Sequence, residues 1–142
     1  MCGIIGIASN KPVSMNIINS LKKLEYRGYD SAGLATLDKD EISEKKCSGR
    51  VEELEKILFK TPSNGHLGIG HVRWATHGIP NIVNAHPHSS EIVSVVHNGI
   101  IENSDELKEK LELKGLKFKS QTDTEVITLL ITESLKNNKP LE

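Results

Sequence analysis

Cys2 is the residue near the start of the chain whose side chain could form a covalent bond to a substrate, and it lies in the stretch MCGIIG. A cysteine in such an apolar stretch can be a buried strand residue, a metal ligand or a nucleophile. If Met1 is removed, the thiol and a free α-amine lie on one residue. The neutral amine can then act as the general base, as it does in N-terminal threonine hydrolases. The residues alone leave these three interpretations open.

The segment 70–90 concentrates polar side chains, because it contains Arg73, the only tryptophan (Trp74) and four of the six histidines. One interpretation is a substrate site. The planar guanidinium of Arg73 would bind a carboxylate there, and Thr76 and His77 would add hydrogen bonds. The segment is also long for an ordinary connection, and long ordered loops tend to carry function.

The other interpretation of this segment is a metal site. His86 and His88 are two residues apart, so they share one face of an extended backbone and could ligate a metal with help from His71 or His77. Glu91 is the nearest acidic residue, and neither HExxH nor CxxC spacing occurs in the chain. The residue pattern therefore favours the substrate site, and we predict no bound metal.

Three further features have both a structural and a catalytic interpretation. Asn98-Gly99 is a favoured pair for a tight hairpin turn, but it also offers a side-chain amide and a backbone N–H, the two donors of an oxyanion hole. Asp123 either complements a helix dipole in the first turn or holds a substrate ammonium group. Arg27 is either a surface cation near a helix end or a buried partner of Asp30.

The elements that would position these residues follow from hydrophobic spacing and turn signals. Gly28 and Gly33 are expected where two backbone segments approach closely. Asn103 with Glu106 and Thr122 with Glu125 predict the starts of two helices, the second pair as a capping box. Strands are predicted over 2–8, 32–38, 41–47, 66–74 and 91–99, and helices from 13 to the stop at Gly28, over 50–59, over 103–115 and from Thr122 onward.

Composition excludes several classes of function. The 142 residues carry a net charge of −1, so no overall basic field predicts binding to nucleic acid or to an anionic membrane. No apolar run is long enough for a membrane helix, and no signal peptide is evident. Two cysteines without such a signal predict a reduced, cytoplasmic protein of one domain.

Six motifs, taken together, resemble one family in their order and approximate spacing. That family is the glutaminase domain, a class II glutamine amidotransferase, of the glutamine-fructose-6-phosphate aminotransferases (glucosamine-6-phosphate synthases). The nearest alternative is the glutaminase domain of amidophosphoribosyltransferase, and Tyr29, Trp74 and His77 favour the aminosugar enzyme over it. The motifs are MCGIIG, LEYRGYDSAGLA, GHVRWATHG, NAHPH, HNGIIEN and TDTEVI.

The resemblance implies a role for each candidate residue. Cys2 would be the nucleophile, with Asn98 and Gly99 as the oxyanion hole. Arg73 would bind the α-carboxylate of glutamine and Asp123 its α-amine. The remaining implied roles are a loop closing over the substrate (Thr76, His77 and His86), the gate of an ammonia channel (Trp74) and support behind the N-terminal residue (Arg27).

The resemblance also implies an α+β fold, the four-layer αββα sandwich of the N-terminal nucleophile (Ntn) hydrolases. Residues 1–142 would form an incomplete glutaminase domain, truncated at its C-terminal end, without the two sugar isomerase domains that bind fructose 6-phosphate. L-glutamine is the expected substrate, no cofactor is expected, and the full-length enzyme is expected to be a homo-oligomer. The fragment could at most hydrolyse glutamine; the competing hypothesis is a noncatalytic glutamine-binding module with an inert Cys2.

Overall fold

The short apolar runs form strands and the segments with helical spacing form helices in the structure, a computed structural model that describes residues 1–75 and 78–137. The strands are β1 (Gly3–Ala8), β2 (Ser31–Asp38), β3 (Glu41–Ser48), β4 (Leu67–Arg73), β5 (His88–Ser89) and β6 (Ser94–Val95). The helices are α1 (Ser14–Leu24), α2 (Val51–Lys60), α3 (Ser104–Leu113) and α4 (Thr124–Lys136).

The first four strands form one antiparallel sheet in the order β1-β4-β2-β3. The predicted hairpin pairs β2 with β3, and β4 lies between β1 and β2. Successive residues of β4 point to opposite faces of the sheet, and both faces are buried from Gly70 to Arg73. One face carries Val72, which packs into the apolar core, and the other carries His71 and Arg73.

The core lies between this sheet and helices α1 and α2. The helical spacing of Ile17, Ile18 and Leu21 puts these side chains on one face of α1, and all three are fully buried. They pack with Leu54 of α2 and with Leu34 of β2 in a single apolar cluster. Cys47 is buried in the same cluster.

Residues 84–98, which include β5 and β6, lie against the opposite face of the sheet. Gly33 is needed at the contact, since a Cβ atom there would lie 2.1 Å from the carbonyl oxygen of His86. Lys46 donates from Nζ to the Pro87 carbonyl at 3.1 Å. Helix α4 packs against β5 and β6, and α3 packs against α4. The layers therefore follow the order helix, sheet, sheet, helix, with a second sheet of only two short strands.

The predicted strand 91–99 is wrong. Ser90 forms a turn instead, because its N–H donates to the Val93 carbonyl and its Oγ accepts from the Val93 N–H. This turn uses the first half of the apolar run, and only Ser94–Val95 remains as a strand. The run therefore pairs with β5, a strand within the segment predicted to be a loop.

The predicted helix starts are correct in position but wrong in their capping bonds. Neither Asn103 nor Thr122 makes a side-chain cap. Thr122 Oγ1 lies 2.7 Å from His88 Nε2 instead, and the Glu125 carboxylate accepts the backbone N–H groups of Lys119 and Ser120 at 2.9 and 2.7 Å. Thr122 thus bonds to a distant residue, and Glu125 to the backbone that precedes the helix, instead of the two capping each other's N–H groups. Within residues 1–75 and 78–137, no helix has both the length and the apolar character to cross a bilayer.

Candidate active site

The predicted site residues meet at one cavity of about 340 Å³, where the starts of β1 and α4 and the end of β4 come together. Thr76 and His77 lie outside the described residues. The other eight predicted residues all line this cavity: Cys2, Arg27, Arg73, Trp74, His86, Asn98, Gly99 and Asp123.

Cys2 is held by the backbone at the end of β4. The Trp74 N–H donates to Cys2 Sγ at 3.2 Å, and Sγ lies 3.4 Å from the Trp74 carbonyl oxygen. Arg27 Nε donates to the Cys2 carbonyl at 2.9 Å, which fits the predicted supporting position. The thiol is therefore fixed at the cavity wall by residues far from it in the sequence.

The loop that contains Arg27 is locked onto the end of β4. The carboxylate of Asp30 accepts hydrogen bonds from the Ala75 N–H and the Ser31 hydroxyl. The interpretation in which Asp30 is the buried partner of Arg27 is therefore wrong. Gly28 makes the approach possible, since a Cβ atom there would lie 2.5 Å from the Arg73 carbonyl carbon and 2.8 Å from Trp74 N.

The Asn98 carboxamide contacts Cys2 and His71. Its Nδ2 donates to the Cys2 carbonyl at 3.2 Å, and its Oδ1 lies 3.0 Å from His71 Nε2. Asn98 does not have a positive φ, and the chain continues from Gly99 towards α3. The hairpin-turn interpretation is therefore wrong, and both groups face the cavity instead of a turn.

Two opposite charges line the cavity. Arg73 is buried, with its guanidinium donating to the carbonyls of Gly78 and Ile79 at 3.4 and 3.5 Å. Asp123, the residue that precedes α4, accepts the Ile101 N–H at 2.7 Å through Oδ2. A cation and a carboxylate in one cavity can bind the two charged ends of a free amino acid.

Three buried histidines cluster at the cavity, and two of them, His71 and His86, line it. The rings of His71 and His86 stack with centroids 4.2 Å apart, and His88 meets His86 edge-on at 4.8 Å. Burial lowers the pKa of His71 to about 4 and of His88 to about 3, and burial next to these histidines also lowers the pKa of His86. All three are therefore uncharged at neutral pH.

Neutral imidazoles could in principle ligate a metal ion. Within the described ranges, however, no three His, Cys, Asp or Glu side chains are grouped so as to hold one. His88 Nε2 is paired with the Thr122 hydroxyl, and His86 Nδ1 lies 3.4 Å from the His97 N–H. The histidine pair on which the metal interpretation depended is thus used in hydrogen bonds within the protein.

The cavity includes residues for which the sequence predicts no catalytic role. His71 also lines it, and so does His97, whose Nδ1 lies 3.3 Å from the Thr124 hydroxyl. One signal was available for His71: it is two residues before Arg73 in a strand, so the two share a face. His97 precedes Asn98 directly, but nothing in its own residue type predicts its position.

Comparisons with known proteins agree with this geometry. The family model described as "Glutamine amidotransferase domain" matches residues 57–137. A glutamine--fructose-6-phosphate aminotransferase [isomerizing] of Bradyrhizobium diazoefficiens is 52% identical over 143 residues, covering 100% of this chain and 24% of that protein. An Agrobacterium fabrum protein of the same name is 51% identical over 133 residues, covering 94% of this chain and 22% of its own length. The chain thus spans about a quarter of the length of these relatives.

Solved structures show the same fold. The glutamine phosphoribosylpyrophosphate amidotransferase of B. subtilis, complexed with ADP and GMP, has a TM-score of 0.79 and 29% identity, covering 94% of this chain and 30% of its own. A structure described as the allosteric regulatory enzyme of purine biosynthesis has a TM-score of 0.78 and 30% identity with the same coverage. These likenesses confirm the predicted Ntn hydrolase architecture. The chain belongs to the family of glutamine amidotransferase domains.

Proposed function

We propose that Cys2, once Met1 has been removed, attacks the side-chain amide carbon of L-glutamine. The thiol proton passes to the α-amine of Cys2 and then to the leaving nitrogen, so the C–N bond breaks and ammonia departs. A thioester between Cys2 and the glutamyl group remains. Water then breaks the C–S bond, which releases glutamate and restores the thiol.

The single observation that carries this proposal is the position of the Asn98 Nδ2 group, 3.2 Å from the carbonyl of the residue that bears the thiol. An amide donor beside the nucleophile is placed to receive the negative charge that develops on the substrate oxygen. Gly99 lines the same cavity and would supply its backbone N–H as the second donor.

Substrate selection follows from the two charges of the cavity. Arg73 would bind the α-carboxylate of glutamine and Asp123 its α-ammonium group. A glutamine within a peptide lacks at least one of these charges, so its binding would leave a buried charge without its counterpart. We therefore propose free L-glutamine as the substrate.

In the complete protein the ammonia would convert fructose 6-phosphate to glucosamine 6-phosphate. Support comes from the names of relatives that are 51–52% identical, against 29% for the phosphoribosylpyrophosphate amidotransferase structure. Residues 1–142 would be part of the glutaminase domain, with the sugar isomerase domains elsewhere in a homo-oligomeric, cytoplasmic enzyme. The channel-gate role of Trp74 and the substrate-loop role of Thr76, His77 and His86 stay predictions.

Covalent labelling tests the proposal. The complete gene product is incubated with a diazo-ketone analogue of glutamine, and the N-terminal peptide is weighed by mass spectrometry. We expect Met1 to be absent and one adduct to be present on Cys2, and excess glutamine should slow its formation. Cys47, which is buried in the core, should stay unlabelled, and Cys2→Ser should prevent labelling. A folded sample without Met1 that forms no adduct would favour a noncatalytic glutamine-binding module instead.

A further inference from the structure

His71 contacts the proposed oxyanion donor from the side opposite to the nucleophile. It lies in β4, is 1% exposed, and its Nε2 is 3.0 Å from Asn98 Oδ1. Asn98 Nδ2, at the other end of the same carboxamide, is 3.2 Å from the Cys2 carbonyl oxygen. The amide therefore bridges a histidine and the backbone of the nucleophilic residue.

These contacts fix both the orientation of the amide and the tautomer of His71. The Cys2 carbonyl only accepts hydrogen bonds, so the amide group that faces it must be Nδ2. Oδ1 then faces His71, and because Oδ1 also only accepts, His71 Nε2 must carry a proton. His71 is uncharged at neutral pH, since burial lowers its pKa, and it therefore has one N–H. Its Nδ1 is then a bare acceptor and makes no hydrogen bond of good geometry within the described residues, although the nearby His97 backbone opposes the lowering of the His71 pKa.

The His71 ring is itself held in place. His86 stacks on it at 4.2 Å with 19° between the ring planes, and His86 Nδ1 lies 3.4 Å from the N–H of His97. The stacked pair thus contacts the Asn98 side chain through His71 and the backbone just before it through His86. Both rings also line the cavity, but His71 Nε2 is paired with Asn98 Oδ1 and His86 Nδ1 faces the His97 N–H.

The need for such a contact follows from the shape of a carboxamide. Its oxygen and NH₂ ends are nearly equal in size, so packing alone does not choose between the two orientations. The wrong orientation would turn Oδ1 towards the developing oxyanion and repel it. We propose that His71 is a positioning residue that selects the catalytic orientation of the Asn98 carboxamide by donating from Nε2 to Oδ1. This inference rests on the proposed glutaminase function.

Two substitutions separate the donor from the ring. His71→Phe keeps a flat ring for stacking on His86 but removes the N–H, whereas His71→Gln offers an amide N–H at a similar distance from the backbone. In the complete gene product we expect His71→Phe to lower kcat for glutamate release by about 10- to 100-fold, a loss smaller than that expected for removing the donor itself, with little change in KM. His71→Gln should recover most of the rate. The exposed His66 supplies the control, since His66→Phe should leave kcat unchanged.

A double-mutant cycle tests whether His71 acts through Asn98. In an Asn98→Ala background, His71→Phe should cost less than a further 2-fold in kcat, because no carboxamide remains to be oriented. Losses that multiply would show an independent role for His71 and overturn the proposal. Equal losses for the Phe and Gln variants would also overturn it.

A readout that needs no activity separates this inference from the proposed function. In the complete gene product labelled with ¹⁵N-histidine, with the His71 signal assigned by comparison with His71→Phe, we expect the neutral Nε2–H tautomer at pH 7. The Nδ1–H tautomer would overturn the inference even in a fully active enzyme. The Nε2–H tautomer in a protein that releases no glutamate would support the orientation of Asn98 and overturn only the proposed function.

Discussion

In the proposed reaction Cys2 would supply both the nucleophile and the general base, two roles that most nucleophilic sites divide between residues. Its sulfur is fixed by the Trp74 backbone and its carbonyl by Arg27 and Asn98. The remaining group, the α-nitrogen, is an amide as long as Met1 is attached and cannot accept a proton. The proposed chemistry at Cys2 therefore requires the removal of Met1. The neighbouring side chains would then have to stabilise the reaction that the freed α-amine makes possible.

Asn98→Ala tests the first of these neighbours. Removing one oxyanion donor typically costs about 10²–10³ in kcat, and we expect a loss of this size for glutamate release. KM should change little, because the donor acts on charge that develops after binding. The matched control is Asn103→Ala, an exposed residue before α3 that makes no side-chain cap. Similar rates for both variants would exclude Asn98 from the oxyanion hole.

Asp123→Asn tests how the substrate ammonium group is bound. The amide oxygen of asparagine can still accept the Ile101 N–H, so the backbone contact at 2.7 Å should survive. A charged hydrogen bond is worth about 1.5–3 kcal/mol, so KM for glutamine should rise by roughly 10- to 150-fold. Steady-state kinetics measure this, with the exposed Asp105→Asn as the control. An unchanged KM would assign the α-ammonium group to another residue.

Among the elements, the end of β4 is the one on which the site depends most. Its residues supply Arg73, hold the sulfur through Trp74, and meet the loop at Gly28 and Asp30. This part of the chain contacts Cys2, which precedes β1, and reaches Asn98 through His71. A small shift of β4 would therefore move several functional groups together.

Gly28→Ala should produce such a shift. The new methyl group would lie 2.5 Å from the Arg73 carbonyl carbon, which is backbone and cannot rotate away. A misplacement of about 1 Å can cost 10²-fold in rate, and we expect a loss of this order in kcat/KM. Gly6→Ala in β1 is the control, since a Cβ atom there has nothing within 4 Å. Equal kcat/KM values for the two variants, measured with their melting temperatures, would argue against this role for β4.

The same elements show what could be predicted from the sequence. Strands β1 to β4 and helix α2 lie within one residue of their predictions, because their apolar spacing is local information. Helix α1 begins one residue from its prediction but ends early at Leu24, and the 3-10 turn Glu25–Arg27 completes the segment before Gly28. The run 91–99 does not form the predicted strand, because the Ser90 turn and the contacts of His97 and Asn98 outweigh its strand propensity. The capping pairs failed for the same reason.

The motifs predict the residues of the candidate site, but the spacing of these residues along the chain does not predict that they line one cavity. The sequence indicates His71 only as a possible metal ligand, because its partner Asn98 is 27 residues away. Long-range pairing of this kind depends on the register of β4 against β1 and β2, which no local pattern specifies.

At the scale of the whole molecule, uncharged histidines lie where its two sheets meet. His71 belongs to the large sheet, His88 to the small one, and His86 lies between their rings. At a pH below the ordinary pKa of histidine, each of these side chains is mostly protonated in the unfolded chain, whereas burial keeps it neutral in the folded protein. The junction between the layers should therefore be sensitive to acid.

The free energy of unfolding should consequently fall as the pH is lowered from 7.0 to 5.5. In this range the unfolded state binds protons at His71, His86 and His88 with an ordinary pKa of about 6.5, while the folded state, with a pKa of about 4 for His71 and about 3 for His88, does not. Stability therefore rises with pH here. The loss on acidification is about 1 kcal/mol for each histidine, on the order of 3 kcal/mol together.

Urea unfolding of the 142-residue chain, followed by the fluorescence of its single tryptophan, measures this loss. The window from pH 7.0 to 5.5 lies above the ordinary carboxylate range, so the histidines should dominate the slope. His88→Gln removes one titrating group and can keep a hydrogen bond to Thr122, whose hydroxyl lies 2.7 Å from His88 Nε2. Between pH 7.0 and 5.5 the free energy of unfolding of this variant should fall by about one third less than that of the natural chain, because only two of the three buried histidines remain to be protonated on unfolding. Equal free energies of unfolding at pH 7.0 and pH 5.5 would contradict the prediction. They would mean that the folded domain can take up protons at these histidines without unfolding.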